Sequence, residues 1–143
     1  MINGEITTLH EPDGTPVCNV AFDVSTAQLS AAAHAVGETV LERHRGASLE
    51  TDDVLALREL TGVRDELDHL AVAGANARMV LPLARFIVLH DALHEWVESR
   101  HERGWGRETD DAAMPVAGAM LGPMDDLRGD AVEAALSAGS ATA

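Results

Sequence analysis

The chain begins with two short runs of strand-forming residues, 5–10 and 16–22, on either side of the turn sequence Pro12-Asp13-Gly14. Proline presets φ for a turn, and glycine accepts the positive φ that many turns require. This arrangement predicts a β-hairpin. Because two strands alone are marginally stable, we expect the hairpin to gain a third strand or to pack on helices.

After the hairpin, apolar residues recur every three or four positions, which is the period of an amphipathic helix. Ser25 followed by Gln28 has the pattern of a capping box and predicts the start of a first helix that ends near Arg45. A second helix is predicted from about residue 51 to residue 72. The sequence Gly74-Ala-Asn76 interrupts the period and ends that helix.

The segment 77–81 is apolar enough for a helix, but Pro82 inside a helix would cost about 3 kcal/mol. Proline is favoured at the first helical position instead. We therefore predict a short strand over 77–81 that pairs with the hairpin, and a third helix over 82–103. Prolines and glycines divide the remaining sequence, so we expect short pieces there, the longest being a helix over 123–137.

These elements predict an α+β domain over residues 1–137, in which a small antiparallel sheet packs against three or four helices. Residues 138–143 are small and polar, and we expect them to form a flexible tail. The aromatic residues are few, so aliphatic side chains must supply most of the core. They are Phe22, Phe86, Trp96 and Trp105.

The charge balance is strongly acidic, with 24 Asp and Glu against 10 basic residues and a formal net charge of −14. Every basic residue is arginine, which fits either the codon usage of a GC-rich genome or adaptation to high salt. A nucleic-acid binder needs a basic surface, and an anionic membrane attracts one. We therefore expect neither nucleic acid nor a membrane as a partner.

Cys18 is the single cysteine, so the chain can form no internal disulfide. Its neighbours have the character of a strand, which predicts a packed and unreactive thiol rather than a nucleophile. The N-terminal sequence lacks the pattern of a signal peptide, and no apolar run is long enough to span a membrane. We expect a cytoplasmic protein.

The third predicted helix carries His90, His94, Glu98 and His101 at successive offsets of four, four and three residues. Residues at these offsets share one stripe of a helix. Imidazole and carboxylate groups are ligands of divalent metals such as zinc. With His44 from the end of the first helix, these residues are the candidate ligands of a metal site built between helices.

The segment His90-Asp-Ala-Leu-His94 resembles the zincin motif, in which two histidines one turn apart bind zinc and the acid after the first activates water. Here Asp91 stands where the motif has glutamate, so the base is one methylene shorter. Arg100 stands where the extended motif has its third histidine. These departures, and a chain that is small for a peptidase, weigh against peptidase activity.

The same histidines are compatible with a structural role, because His90 falls beside the apolar centre of the third helix. Histidines buried at a subunit interface would repel one another when charged, and assembly would then weaken below about pH 6. We therefore predict a non-catalytic interaction or assembly protein without a cofactor. It would form a homodimer through the third helix or bind another protein.

The alternative is a divalent-metal-binding protein that uses the histidine pair, with a metal-dependent hydrolase or transferase activity. It differs from the first prediction in requiring ligands from more than one helix.

Overall fold

The computed structural model describes residues 4–14, 16–45, 51–74, 76–103 and 108–141. Three strands and four helices follow one another in the described parts of the chain. The strands are β1 (Gly4–His10), β2 (Pro16–Val24) and β3 (Ala77–Pro82). The helices are α1 (Thr26–Arg45), α2 (Thr51–Ala73), α3 (Leu83–Arg103) and α4 (Glu108–Ala141). The predicted α+β class and the third strand are confirmed.

The sheet is antiparallel throughout, in the order β1-β2-β3. In its register, Val20 lies opposite Ile6 on one side and opposite Leu81 on the other. The hairpin turn depends on Gly14, which has a φ of 88° and donates its N–H to the carbonyl of Glu11 at 2.8 Å. A side chain would disfavour that backbone conformation, so glycine is the residue that fits there.

Helices α3 and α4 cover one face of the sheet, and α1 packs against the other three helices. Phe22 of β2 and Phe86 of α3, both fully buried, meet edge to face with ring centroids 5.5 Å apart. Cys18 of β2 packs against α4, where its thiol donates to the carbonyl of Ala131 at 3.6 Å. The thiol is buried, as predicted for a packed cysteine.

Helix α3 is the most enclosed of the helices, since it contacts the sheet and all three other helices. Its buried residues include Trp96, which is fully covered, and Arg100, which is 8% exposed. The Arg100 guanidinium lies 5.5 Å from the centroid of the Trp96 ring and pairs with Glu38 and Glu42 of α1 at 3.3 and 3.4 Å. Two carboxylates thus compensate a nearly buried cation.

The last helix corrects the prediction for the end of the chain. Instead of short pieces, α4 is one helix of 34 residues that contains Pro115 and Pro123. Pro115 is exposed and Pro123 is partly exposed, so both lie outside the buried stripe. That stripe consists of alanine and methionine: Ala113, Met114, Ala117, Met120, Met124 and Ala131. Its packing outweighs a cost of about 3 kcal/mol for each proline.

The same helix extends past the predicted boundary at residue 137 and ends at Ala141. Four residues of the segment expected to be a tail are therefore helical, and residues 142–143 lie outside the described parts. Among the helices that the structure describes, none combines the length and the apolar character needed to cross a membrane.

The start of α1 confirms the predicted capping box. The backbone N–H of Gln28 donates to the Ser25 hydroxyl at 3.2 Å, and the N–H of Ser25 donates to the Gln28 side-chain oxygen at 2.9 Å. Asn76, in the connection before β3, accepts from the N–H of Thr26 at 3.2 Å. Three N–H groups at the helix start are thereby satisfied, and the helix is tied to the sheet.

Replacing Ser25 with alanine removes one half of this capping box. We expect Ser25→Ala to lower the free energy of unfolding by about 1 kcal/mol, as measured by chemical denaturation. Ser30→Ala in the same helix is the matched control, because Ser30 is exposed and alanine favours helix. Equal destabilisation by the two substitutions would contradict a capping role for Ser25.

Candidate functional site

The candidate ligands that the sequence analysis grouped together differ in their exposure to solvent. His90 is buried at 2% exposure, whereas His94 and Glu98 are exposed on α3. His44 is exposed in the last turn of α1. His101 belongs to α3, but its side chain lies outside the described residues. The burial of His90 agrees with its predicted position beside the apolar centre of the third helix.

The imidazole of His90 is held between two rings of its own helix. Phe86, one turn earlier, stacks on it at a centroid distance of 6.5 Å and an interplanar angle of 15°. His94, one turn later, meets it edge to face at 5.0 Å. These i−4 and i+4 neighbours lie on the same face of the helix. They fix the ring so that its nitrogen atoms face α4.

Arg128 of α4 supplies the polar contact of the buried ring. Its Nη1 lies 3.2 Å from His90 Nδ1, and the same nitrogen donates to Asp91 Oδ1 at 2.6 Å. A guanidinium can only donate hydrogen bonds, so Nδ1 accepts and the proton of the neutral ring resides on Nε2. We refer to His90, Asp91, Arg128 and Asp125 as the α3–α4 polar cluster.

Asp125 faces the other ring nitrogen. Its Oδ1 lies 4.0 Å from His90 Nε2, which is too long for a direct hydrogen bond. Nε2 is buried and has no hydrogen-bond partner in the described parts of the chain. Asp125 itself is 71% exposed at its side chain, so water screens its charge. The cluster therefore holds His90 Nδ1 in a hydrogen bond with Arg128, whereas Nε2 faces only the screened charge of Asp125.

This environment lowers the pKa of His90 below its ordinary value of 6.5. Burial is the largest cause, because it penalises the charged imidazolium, and the charges of His94 and Arg128 act in the same direction. Asp125 and Asp91 oppose the shift but do not outweigh it. His90 is accordingly neutral at pH 7, with its accepting nitrogen occupied by a cation.

A metal site would need this pair of histidines and at least one further ligand. Among the described side chains, no group of three or more His, Cys, Asp or Glu residues is placed to hold a metal ion. Metal binding at His90 Nε2 would also move the ring proton to Nδ1, where it would face the Arg128 donor. The metal site stays the alternative prediction, with His90, His94, His44, Glu98 and His101 as its candidate ligands.

The sequence analysis did not identify Arg128 as a site residue. It assigned Arg128 to a helix over 123–137, and nothing in the sequence indicated that this residue would meet the histidines of α3. The sequence did contain one indication of such a residue, namely a histidine on the apolar face of a helix. A histidine in that position is buried, and a buried polar group requires a hydrogen-bond partner from a neighbouring element. The identity of that partner depends on how α4 packs.

Comparisons of the chain with known protein families, with characterised proteins and with solved structures find no match.

The lowered pKa of His90 makes the stability of the fold depend on pH. Its unfolded state binds a proton near pH 6.5, while the folded state resists protonation, so the free energy of unfolding falls as the pH drops below about 6.5. In this window we expect His90 to lower the free energy of unfolding by up to about 1.4 kcal/mol for each unit by which the pH falls. Chemical denaturation between pH 7.5 and about 5 measures it.

His90→Gln is the control for this prediction, because an amide oxygen can accept from Arg128 and does not titrate in this range. The variant should be less dependent on pH than the wild type below about pH 6.5. Parallel pH profiles for the two proteins would show that other groups govern the acid response.

The placement of Arg128 also gives an expectation for metal content. Purified protein without an affinity tag should contain less than about a tenth of an equivalent of zinc, nickel or iron, and added metal should not raise its melting temperature. Elemental analysis and thermal denaturation measure both. One equivalent of metal that is lost in His94→Ala would instead establish the histidine pair as a metal site.

Proposed function

We propose that this protein is a non-catalytic interaction module that self-associates through one end of its α1–α2 helix pair. The observation that carries the proposal is a set of three large aliphatic side chains that are half exposed there. Leu41 is 51% exposed, Val54 is 50% exposed and Leu55 is 52% exposed. Exposed apolar groups that lie together on a soluble domain are characteristic of interaction surfaces.

The chain connectivity places these three residues at the same end of the molecule. Helices α1 and α2 pack against each other, and only residues 46–50 separate them in sequence. Two packed helices with so short a connection run antiparallel. Leu41 lies in the last turns of α1, and Val54 and Leu55 lie in the first turns of α2. We call these three residues the α1–α2 end patch.

This patch replaces the third helix as the proposed interface. The apolar face of α3 packs within the chain, where Leu89, Leu93 and Trp96 are buried. Beyond Ala84 in its first turn, the described residues that α3 exposes are polar: Asp91, His94, Glu95 and Glu98. A second subunit docking on that surface would have to desolvate carboxylates that carry the same charge as its own.

The α3–α4 polar cluster supports a role without catalysis. A general base needs an accessible nitrogen with a pKa near the working pH. His90 is buried, the pKa of its imidazole is lowered and its accepting nitrogen is bound to Arg128. The cluster holds two helices together rather than presenting a reactive group. A cytoplasmic location belongs to the same proposal, and a single buried cysteine is compatible with a reducing compartment.

The partner that we propose is a second copy of the chain. Each copy carries a net charge of −14, so two copies repel each other at low ionic strength. Salt screens that repulsion and leaves the apolar contact nearly unchanged. Self-association through the α1–α2 end patch should therefore strengthen as salt is added, whereas binding to a basic partner would weaken.

Light scattering coupled to size exclusion tests the proposal. We expect the wild type to form a dimer whose dissociation constant falls when NaCl is raised from about 0.05 to 0.5 M. Leu55→Gln should raise that constant about tenfold or more by removing apolar contact area. Val72→Gln is the matched control, because Val72 lies at the opposite end of α2 and is 87% exposed.

A monomer at every salt and protein concentration would refute self-association. A dimer that Val72→Gln weakens as much as Leu55→Gln would place the interface elsewhere. Both variants preserve the net charge, so a difference between them reports the apolar contact and not a change in repulsion.

A further inference from the structure

Among the arginines whose side chains the structure describes, only two make no ion pair, and both border the α1–α2 end patch. They are Arg45, the last residue of α1, and Arg58 in α2. The others bind a carboxylate of the chain at 2.6–3.4 Å: Arg43, Arg64, Arg78, Arg85, Arg100 and Arg128. Pairing within the chain is therefore the rule for its described arginines, and the end patch is the exception.

The spacing along the two helices puts both arginines beside the apolar side chains of the patch. Arg45 follows Leu41 by four residues, and Arg58 follows Val54 by four. Residues four apart lie on the same face of a helix. Both arginines are also exposed to solvent. The end patch is thus an apolar surface with a cation at its border on each helix.

Arg58 has no acidic neighbour at helical spacing. Side chains three or four positions apart on a helix are within reach of one another. For Arg58 these positions hold Val54, Leu55, Thr61 and Gly62. Glu59, the next residue, instead pairs with Arg85 of α3 at 3.4 Å. Acidic groups are not scarce, because 24 Asp and Glu accompany 10 basic residues, so a second copy of the chain supplies carboxylates in excess.

We infer that Arg58 binds a carboxylate of a second copy of the chain when two α1–α2 end patches meet, and that Arg45 adds a second cation to the same border. This inference rests on the proposed self-association. Charged groups at the rim of an apolar contact are the usual anatomy of an interface. A two-fold pairing repeats each contact, so one dimer holds two of them. The planar guanidinium gives the contact a direction, which apolar packing alone lacks.

The salt dependence of this contact is opposite to that of the whole dimer. Two copies with a net charge of −14 each repel at long range, and added salt weakens that repulsion. Salt also weakens the attraction between Arg58 and a carboxylate at an exposed rim. The wild-type dimer should still strengthen with salt, because the repelling acidic groups are many and the rim contacts few. The effect of replacing Arg58 should therefore be greatest at low ionic strength.

Light scattering coupled to size exclusion, over a range of protein concentrations, tests the inference at about 0.05 and 0.5 M NaCl. We expect Arg58→Gln to raise the dissociation constant of the dimer about tenfold at the lower salt and no more than about threefold at the higher. Arg58→Lys keeps the charge and should recover most of the loss. Arg78→Gln is the matched control, because it removes the same charge from β3, outside the patch. Far-UV circular dichroism confirms that each variant is folded.

The role of Arg58 is refuted if Arg58→Gln and Arg78→Gln weaken the dimer equally at the lower salt, because net charge alone would then explain both effects. An effect of Arg58→Gln that is the same at both salts would also refute it, since an ion pair at the rim is screened. A dimer that Leu55→Gln weakens and Arg58→Gln does not would overturn this inference and leave self-association intact. A wild type that is monomeric throughout would overturn both.

Discussion

The contact between Phe22 and Phe86 joins the sheet to the helices, and the rest of the structure depends on it. They are the only phenylalanines in the chain, both are fully buried, and their edge-to-face geometry favours a fixed orientation of β2 against α3. Truncating either ring in such a core costs about 3–5 kcal/mol. Among the described residues, no second aromatic contact joins the sheet to a helix.

Anchoring α3 on the sheet forces the other helices to surround it, and polar residues on its flanks then need partners from those helices. On one flank Arg100 pairs with Glu38 and Glu42 of α1. On the other flank His90 accepts from Arg128 of α4. In both cases a nearly buried polar group is compensated by charges that remain closer to solvent. Burial makes these contacts costly to lose, so they fix the positions of α1 and α4 more specifically than alanine packing does.

The local features of the fold were predictable because each depends on a few neighbouring residues. The hairpin follows from Pro12-Asp13-Gly14, and the start of α1 follows from Ser25 and Gln28. The conflict between helix and Pro82 indicated β3. Turn geometry, capping and proline sterics act within about four residues, so sequence reasoning can evaluate them.

The extent of α4 was not predictable by the same reasoning, because packing decides it. The two prolines argue for breaks, and only the burial of Met120 and Met124 against the core explains why one helix persists. The mispredicted course of α4 also hid one contact of His90. The stripe of His90 and His94 was visible in the sequence, but its partner Arg128 lies on the helix whose course was unknown. A buried histidine indicates that a partner exists, while the fold determines which residue it is.

The polar cluster and the acidic surface both act on the protonation of His90. A negatively charged protein favours protonated histidine at long range, but the loss of hydration on burial, followed by the charges of His94 and Arg128, acts on the ring directly and lowers the pKa of His90. Coulomb interactions through water at about a Debye length are weak, whereas burial acts on the imidazole itself and the nearest charges lie within a few ångströms of it. The short-range causes therefore prevail and keep the imidazole neutral. A neutral ring can accept a hydrogen bond from Arg128. That hydrogen bond joins α4 to α3, the helix that packs on the sheet.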